Sequence, residues 1–482
     1  MMRERPFLTE MLTTRVPFSC ILGRRTQMRI DHQFSPRGRH VLSLPAMAMA
    51  IALLINPTAR CAEKVAAVPA SDFLDSIGTL SAIAYRGETL EKTVECTKYL
   101  GIRWLRAGIE GDIPVRDFLE LHKRTGVKFS WGLGSGGTDI PKLIATAKPL
   151  ATARALLAFE GPNEPNNWGF TYQGETGGRD RSWIAVAKLQ RDLYQTVKSD
   201  PSLKKYPVWS ISEGGAETDN VGLQFLTIPP EAHTSMPAGT RYADYANVHN
   251  YIYHPNSPSV EDNKTWNAAD PTAACKVDGL YGEYGQTWAK HFPGYPAAQL
   301  LALPRVTTET GTTIGGAITE EIHAKNLLTL YLDQFKRGWS YTGVYLLRDR
   351  VDEAGNQSFG FYRPDYSRRK AAVYLHNLTT ILADQGRPAR LAELEYSIAP
   401  RPDTLHDLLL QKSDGSFALV IWNERVQGSD TITVSLDVRA APVVKVHDPT
   451  LRVTVREMIS NPHKLVLKLT DHPVVLEIRP AR

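Results

Sequence analysis

From about residue 70 to residue 383, short apolar runs alternate with amphipathic stretches. Eight of the runs read as strands: Ile77–Ala84, Trp104–Ala107, Lys128–Leu133, Leu156–Glu160, Val208–Ile211, Tyr245–Val248, Arg305–Thr308 and Gly343–Leu347. Several are apolar on both faces, the pattern of strands buried inside a parallel sheet. The stretches between them carry helical spacing. Ala185, Leu189, Leu193 and Val197 lie four apart within residues 183–198, which makes one buried stripe. Residues 319–337 open on Thr319, Glu320 and Glu321, a capping hydroxyl followed by acids that suit the positive end of a helix. Ile322, Leu328, Leu332 and Phe335 then supply its apolar face. Eight strands alternating with helices predict a closed parallel barrel rather than an open sheet.

Near residue 385 the pattern changes. Beyond Gly386-Arg387-Pro388 helical periodicity fades, and strand-like runs follow at Leu405–Gln411, Phe417–Trp422, Thr431–Leu436, Val443–Val446, Arg452–Arg456, Lys464–Leu469 and Val474–Ile478. Asp414-Gly415 and Asn461-Pro462 punctuate them, and Asp-Gly between apolar runs is a hairpin signal because such tight turns need positive φ. The predicted fold class is therefore α/β: a (β/α)8 TIM barrel over 63–385 with a C-terminal antiparallel β-sandwich over 386–482. There is no internal repeat and no low-complexity segment.

Residues 1–62 stand apart. They hold nine Arg, no Lys and three acids, a net of +6, so the whole-chain charge of +5 leaves about −1 for the remainder. That removes the basic excess expected of a nucleic-acid binder. Arg37, Arg39 and His40 precede an apolar run, Val41 to Ile55, and small residues follow through Ala59. This order reads as a secretory signal, with Met28 a more natural start than Met1. The run is too short to span a bilayer comfortably, so no stable membrane insertion is expected after its removal. Export to the periplasm or cell exterior is the expectation. Outside this leader only Cys96 and Cys275 remain, without metal-ligand spacing; they are read as two unpaired thiols rather than a disulfide. Oligomeric state leaves no mark in the sequence.

Two segments carry candidate chemistry. Phe159-Glu160-Gly161-Pro162-Asn163-Glu164-Pro165-Asn166 ends the fourth predicted strand, and Val306-Thr307-Thr308-Glu309-Thr310-Gly311 ends the seventh. Side chains at the C-terminal strand ends of a barrel face the active-site mouth. Two carboxyls converging there suit glycosidic cleavage, in which one protonates the departing oxygen and the other attacks the sugar carbon.

Asn163-Glu164-Pro165 and Thr308-Glu309, on the fourth and seventh strands of an eight-unit pattern, resemble glycoside hydrolase clan A. The flavour is most similar to family 39, with neighbours in families 5 and 30, and the resemblance covers the barrel and extends into the sandwich. It implies a retaining O-glycoside hydrolase acting on a β-linked polysaccharide or oligosaccharide, with Glu164 as acid/base, Glu309 as nucleophile and no cofactor. It also implies that Arg106 adjoins the nucleophile, that Asn163 binds the sugar 2-hydroxyl, and that His249 and Tyr251 line the site, Tyr251 touching the nucleophile. Tyr345 stands where many relatives carry a Trp platform, a departure that weakens the carry-over of that role.

Other readings compete at each position. Glu164 also suits a helix cap. Glu283, in Tyr281-Gly282-Glu283-Tyr284-Gly285, is a rival nucleophile, disfavoured because no buried strand precedes it. Glu160 is read as a partner for an arginine inside the barrel, and Arg106 is a candidate for that arginine too. His249 and Tyr251 also suit satisfied core residues. Trp168, Trp266 and Trp288 are plausible walls of a sugar site, and core or loop packing is as good a reading of each. Asn263-Lys264-Thr265 matches a glycosylation acceptor. At the level of function, a non-catalytic polysaccharide-binding barrel serving exopolysaccharide assembly or export, and a transglycosylase using the same site, remain the alternatives.

Overall fold

The computed structural model describes residues 63–165, 167–178, 184–212, 240–253, 259–270, 304–384, 386–436 and 443–480. Eight parallel strands form one sheet: Ile77–Leu80, Trp104–Gly108, Lys128–Ser135, Leu156–Asn163, Val208–Trp209, Ala246–Asn247, Arg305–Thr310 and Trp339–Val344. Spatial order follows chain order, and the eighth strand pairs with the first. A parallel bridge between Trp209 and Tyr245 joins the fifth to the sixth and closes the barrel. Each predicted barrel strand thus has its counterpart, with two shifts of boundary. The first ends at Leu80 because the chain turns through positive φ at Ile83, Arg86 and Gly87. The eighth begins at Trp339, and Tyr345 lies one residue beyond its end.

Aromatic residues plug the barrel floor. Trp104, Ala158, Trp209 and Val306 form a buried cluster, with the Trp104 and Trp209 rings edge to face at 5.7 Å. Gly78 is required beside it, since a Cβ there would stand 2.2 Å from the Trp104 ring. Outside the barrel, helix Ile184–Ser199 buries Ala185, Leu189, Leu193 and Val197 as the spacing predicts. Helix Glu320–Lys336 is capped by the Thr319 hydroxyl, which accepts from the amide of Ile322. Among the described residues no helix is long and apolar enough to cross a membrane.

The C-terminal part is a two-sheet antiparallel sandwich, as expected, with two corrections of detail. Glu393–Ala399 is a strand the sequence reading missed, although Leu394, Tyr396 and Ile398 alternate inward. Arg452–Arg456 is not a strand; the amides of Leu451 and Arg452 turn back onto the Asp448 carbonyl, and pairing starts at Glu457–Ser460. The sequence boundary placed residues 63–69 with the barrel, but Glu63–Ala66 pairs with Glu393–Ala399 and Val68–Pro69 with Leu405–Gln411. The Asp414-Gly415 turn joins Leu405–Gln411 to Phe417–Asn423, with Gly415 at φ +84°.

Those last two strands are buried on both faces because they serve two cores. Leu405, Leu409, Phe417, Leu419 and Ile421 pack inside the sandwich, while Leu408, Leu410, Ala418, Val420 and Trp422 join the barrel's helical layer. Polar contacts fasten the same seam. The Trp422 indole donates to Asp333 at 2.8 Å, and Glu424 accepts from the Thr265 hydroxyl and the Trp266 amide. Burial pushes the Asp333 and Glu424 carboxyls upward, and one proton held between them removes the repulsion of two facing anions. The sandwich is a buttress built into the barrel.

Candidate active site

The fourth strand ends at Asn163, and the chain breaks sharply at Glu164, whose φ is +38°. L-residues pay to adopt this region, about 1–3 kcal/mol when the surroundings enforce it. Here they do: the Glu164 amide donates to the Ser212 carbonyl at 2.9 Å, and its carbonyl accepts from the amides of Asn167 and Trp168. The turn aims a carboxyl that is only 4% exposed into the barrel mouth. Helix capping, the rival reading of Glu164, has no helix to cap there.

Glu309 arrives from the seventh strand. Strict pleating would send Thr308 and Glu309 to opposite faces. The pairing between the seventh and eighth strands slips between Thr307 and Thr310, an irregularity that lets both side chains reach the site. The oxygens of Glu164 and Glu309 lie within 4.8 Å of each other.

Arg106, on the second strand, serves both partners proposed for it. Its Nη1 donates to Glu309 Oε1, while Nε and Nη2 grip Glu160 in a fork at 3.1 and 2.6 Å. Nη2 also donates to Asn163 Oδ1 at 2.7 Å, which fixes that amide's orientation. Burial alone would disfavour the guanidinium charge, but Glu160 and Glu309 beside it raise its pKa. Tyr251 donates its hydroxyl to Glu309 Oε2 at 3.0 Å. With a guanidinium on one oxygen and a hydroxyl on the other, Glu309 is set up to be the anion of the pair.

His249 faces Glu164. Its Nδ1 is 2.7 Å from Glu164 Oε1, and its Nε2 is 3.1 Å from Thr308 Oγ1. Burial pulls its pKa down to about 4, so the ring is neutral near neutral pH and carries one N–H. The neighbours decide which nitrogen holds it. Thr308 Oγ1 lies 2.8 Å from Glu160 Oε1, an acceptor only, so the hydroxyl proton points there. Thr308 Oγ1 must then accept from His249 Nε2–H, which leaves Nδ1 as a lone pair. A lone pair 2.7 Å from a carboxyl oxygen calls for a proton on that carboxyl. Burial also pushes the Glu164 carboxyl up, so charge and hydrogen bonding agree that Glu164 is the protonated member. Glu309 too is raised by burial, against the opposing pull of His249, Arg106 and Tyr251.

This relay predicts a specific defect. Thr308→Val removes the acceptor for His249 Nε2–H and frees the ring to carry its proton on Nδ1, where it stabilises ionised Glu164. The alkaline limb of the kcat/KM profile is expected to move down by about one pH unit, the worth of one hydrogen bond. A lower rate with an unmoved limb would assign Thr308 a packing role instead.

Both carboxyls open into a cleft of about 830 Å³. Asn163, Trp168 and Tyr345 line it as well, Trp168 with half its surface exposed. Tyr345 is braced by a 3.2 Å hydrogen bond from its hydroxyl to Glu353 and packs edge-on against Phe359. Trp266 belongs elsewhere: it stacks on His406 at 4.0 Å in the seam with the sandwich. Trp288, Glu283 and Cys275 lie outside the described residues. Cys96 is a buried thiol. Glu160, Thr308 and Asn247, whose amide donates to Thr308 Oγ1 at 3.0 Å, are site residues that sequence reading did not assign to the site.

Glu164, His249 and Glu309 are also close enough to hold a metal ion, as are Asp333, His406 and Glu424 in the seam. In the first cluster Arg106 and Tyr251 already occupy both Glu309 oxygens as donors, a poor start for a metal ligand. In the second, His406 Nε2 is engaged by Asn263 at 2.7 Å and Glu424 by two donors.

No family model matches the chain, and no curated protein matches it in sequence. Solved structures do match its fold. A family 39 glycoside hydrolase from Bacteroides cellulosilyticus WH2 superposes with a TM-score of 0.51 at 16% identity, covering 86% of this chain and 82% of that one. A glucosidase from Croceicoccus marinus gives 0.51 at 11% identity, over 87% and 98% of the two chains. AbfB, a family 51 alpha-L-arabinofuranosidase from Bifidobacterium longum, gives 0.51 at 10% identity over the same shares. At these identities the likeness establishes the architecture, a closed parallel barrel with an appended β-domain, which is the one the clan A resemblance implies.

Proposed function

We propose that this chain is a retaining O-glycoside hydrolase that cleaves a β-linked polysaccharide or oligosaccharide outside the cytoplasm, with Glu309 as nucleophile and Glu164 as acid/base. The observation that carries the reading is the approach of two buried carboxyls, from the fourth and seventh strand ends, to within 4.8 Å inside a large cleft. Retaining enzymes place this pair roughly 5–5.5 Å apart, whereas inverting ones leave room for a water between them. The short separation supports direct attack.

In the first step a Glu309 oxygen bonds to the anomeric carbon while the glycosidic C–O bond breaks. The proton on Glu164 passes to the departing oxygen, and a glycosyl ester of Glu309 remains. In the second, Glu164, now a carboxylate, takes a proton from water as its oxygen attacks the same carbon. The ester bond breaks, and both groups return to their starting states. Two inversions give net retention. Arg106 and Tyr251 stabilise the Glu309 carboxylate before attack and as it departs. His249 returns the proton-bearing Glu164 to its resting orientation through Nδ1.

Stereochemistry tests this. Proton NMR of a turned-over aryl β-glycoside is expected to register the β-anomer first, with the α-anomer growing in only by mutarotation. Early α-product would mean single displacement and a different use of the two acids.

A further inference from the structure

We infer that the cleft takes an uncharged polysaccharide along both sides of the scissile bond and cuts it internally, with Tyr85 and Trp168 as the outer platforms. This rests on the glycosidase reading above and adds the substrate class and mode of action.

The first observation is where aromatic surface remains exposed. Among the described residues, Tyr85 and Trp168 are the two large aromatic side chains left about half exposed, at 49% and 53%. Both line the catalytic cleft. They stand on opposite sides of it, Tyr85 in the loop after the first strand and Trp168 in the turn after the fourth. Aromatic surface left in water at both ends of one groove, and buried elsewhere, marks places where a ligand covers it.

Their places relative to the carboxyls set the direction. The Trp168 amide is hydrogen-bonded to the Glu164 carbonyl, so this ring sits on the side of the acid, where the leaving group departs. Tyr85 is on the far side, its ring packed over Gly111, whose φ of +77° and close approach admit no side chain. A sugar seated between the carboxyls therefore has groove beyond it in both directions. A pocket built to release one terminal sugar would be walled at the Tyr85 end, yet Tyr85, Gly111 and Ile113 extend the cleft there.

The second observation is charge. Six carboxyls line the cleft, Glu110, Glu160, Glu164, Glu309, Asp352 and Glu353, against three guanidinia, Arg86, Arg106 and Arg350. Each arginine is already committed: Arg86 to Asp352 and Glu353, Arg106 to Glu160 and Glu309, Arg350 to Glu88. Glu110 pairs with no cation among the described residues. A chain of uronates would meet surplus negative charge with no free cation to receive it.

The test uses soluble β-linked glucans, xylan, galactan and mannan beside alginate and polygalacturonate, with viscosity and reducing ends followed together. One uncharged polymer is expected to lose viscosity early, releasing oligosaccharides rather than single sugars, while both polyuronates stay intact. With that polymer's oligomers, Tyr85→Ala is expected to lower the ratio of kcat/KM for hexamer over dimer by about tenfold; Tyr85→Trp, which keeps a platform, retains it. Release of single sugars at constant viscosity, preferred cleavage of a polyuronate, or an unchanged ratio in Tyr85→Ala each overturns the inference. Turnover of aryl glycosides with every polymer intact overturns it and spares the glycosidase reading. A chain inert to aryl glycosides and polymers alike overturns both.

Discussion

Glu309→Gln is expected to lower kcat by about 10⁴-fold or more, the cost typical of losing a group whose role no neighbour can assume. The amide matches the carboxyl in shape but cannot form the ester intermediate. Binding should survive far better than turnover, because the substitution leaves the cleft walls in place. The electrostatic change is local: Arg106 loses one of its two anions but keeps Glu160, and Tyr251 keeps an acceptor in the amide oxygen. The variant should therefore fold and bind oligosaccharide with little catalysis. If Glu309→Gln retained a tenth of the parent rate, the nucleophile would have to be sought elsewhere, with Glu283 the first candidate.

Glu164→Gly is expected to separate activity from stability. Loss of the proton donor should cost about 10²–10⁴-fold on substrates with poor leaving groups. Activated aryl glycosides should lose less in the first step, because their leaving groups need no proton, and the ester should then accumulate. Azide, small enough for the vacated space and needing no base, should speed breakdown and yield a β-glycosyl azide. The alkaline limb of the pH profile should vanish, since that limb reports ionisation of Glu164, whose pKa burial raises. Meanwhile the melting temperature should hold or rise. Glycine relieves the φ of +38° and removes a buried acid, gains of about 1–3 kcal/mol against an entropic cost near 0.5–1 kcal/mol. A clear fall in melting temperature would mean that the Glu164 contacts hold the mouth together rather than strain it.

The barrel was legible because its strands are short buried runs punctuated by helices. Even the two-residue pairings at Val208–Trp209 and Ala246–Asn247 fall within apolar runs that periodicity marks. The sandwich strands Leu405–Gln411 and Lys464–Leu469 were legible to the residue for opposite reasons, one buried on both faces and one alternating strictly. Glu393–Ala399 alternates as well, but it pairs with a segment more than three hundred residues earlier, a partner that local pattern cannot supply.

At the site, the positions of Glu164 and Glu309 followed from strand ends. The Glu160–Thr308–His249 chain did not, because it draws on the fourth, sixth and seventh strands and on the slip in register that turns Thr308 inward. Period two does carry a hint: Glu160 and Glu164 are four apart and share the inward face. Trp266 was misplaced as a candidate wall because its loop, read from sequence, precedes a catalytic strand, whereas in space it turns to the sandwich and stacks on His406.

Everything turns on whether Glu309 becomes bonded to sugar. Incubation with activated 2-deoxy-2-fluoro β-glycosides, whose fluorine slows ester breakdown more than its formation, followed by proteolysis and mass spectrometry, addresses this directly. One peptide should gain a single fluorosugar, with fragment ions assigning it to Glu309 and release restoring activity. An adduct on another residue, or turnover across the same reagents with no adduct on any peptide, would be incompatible with Glu309 as the nucleophile.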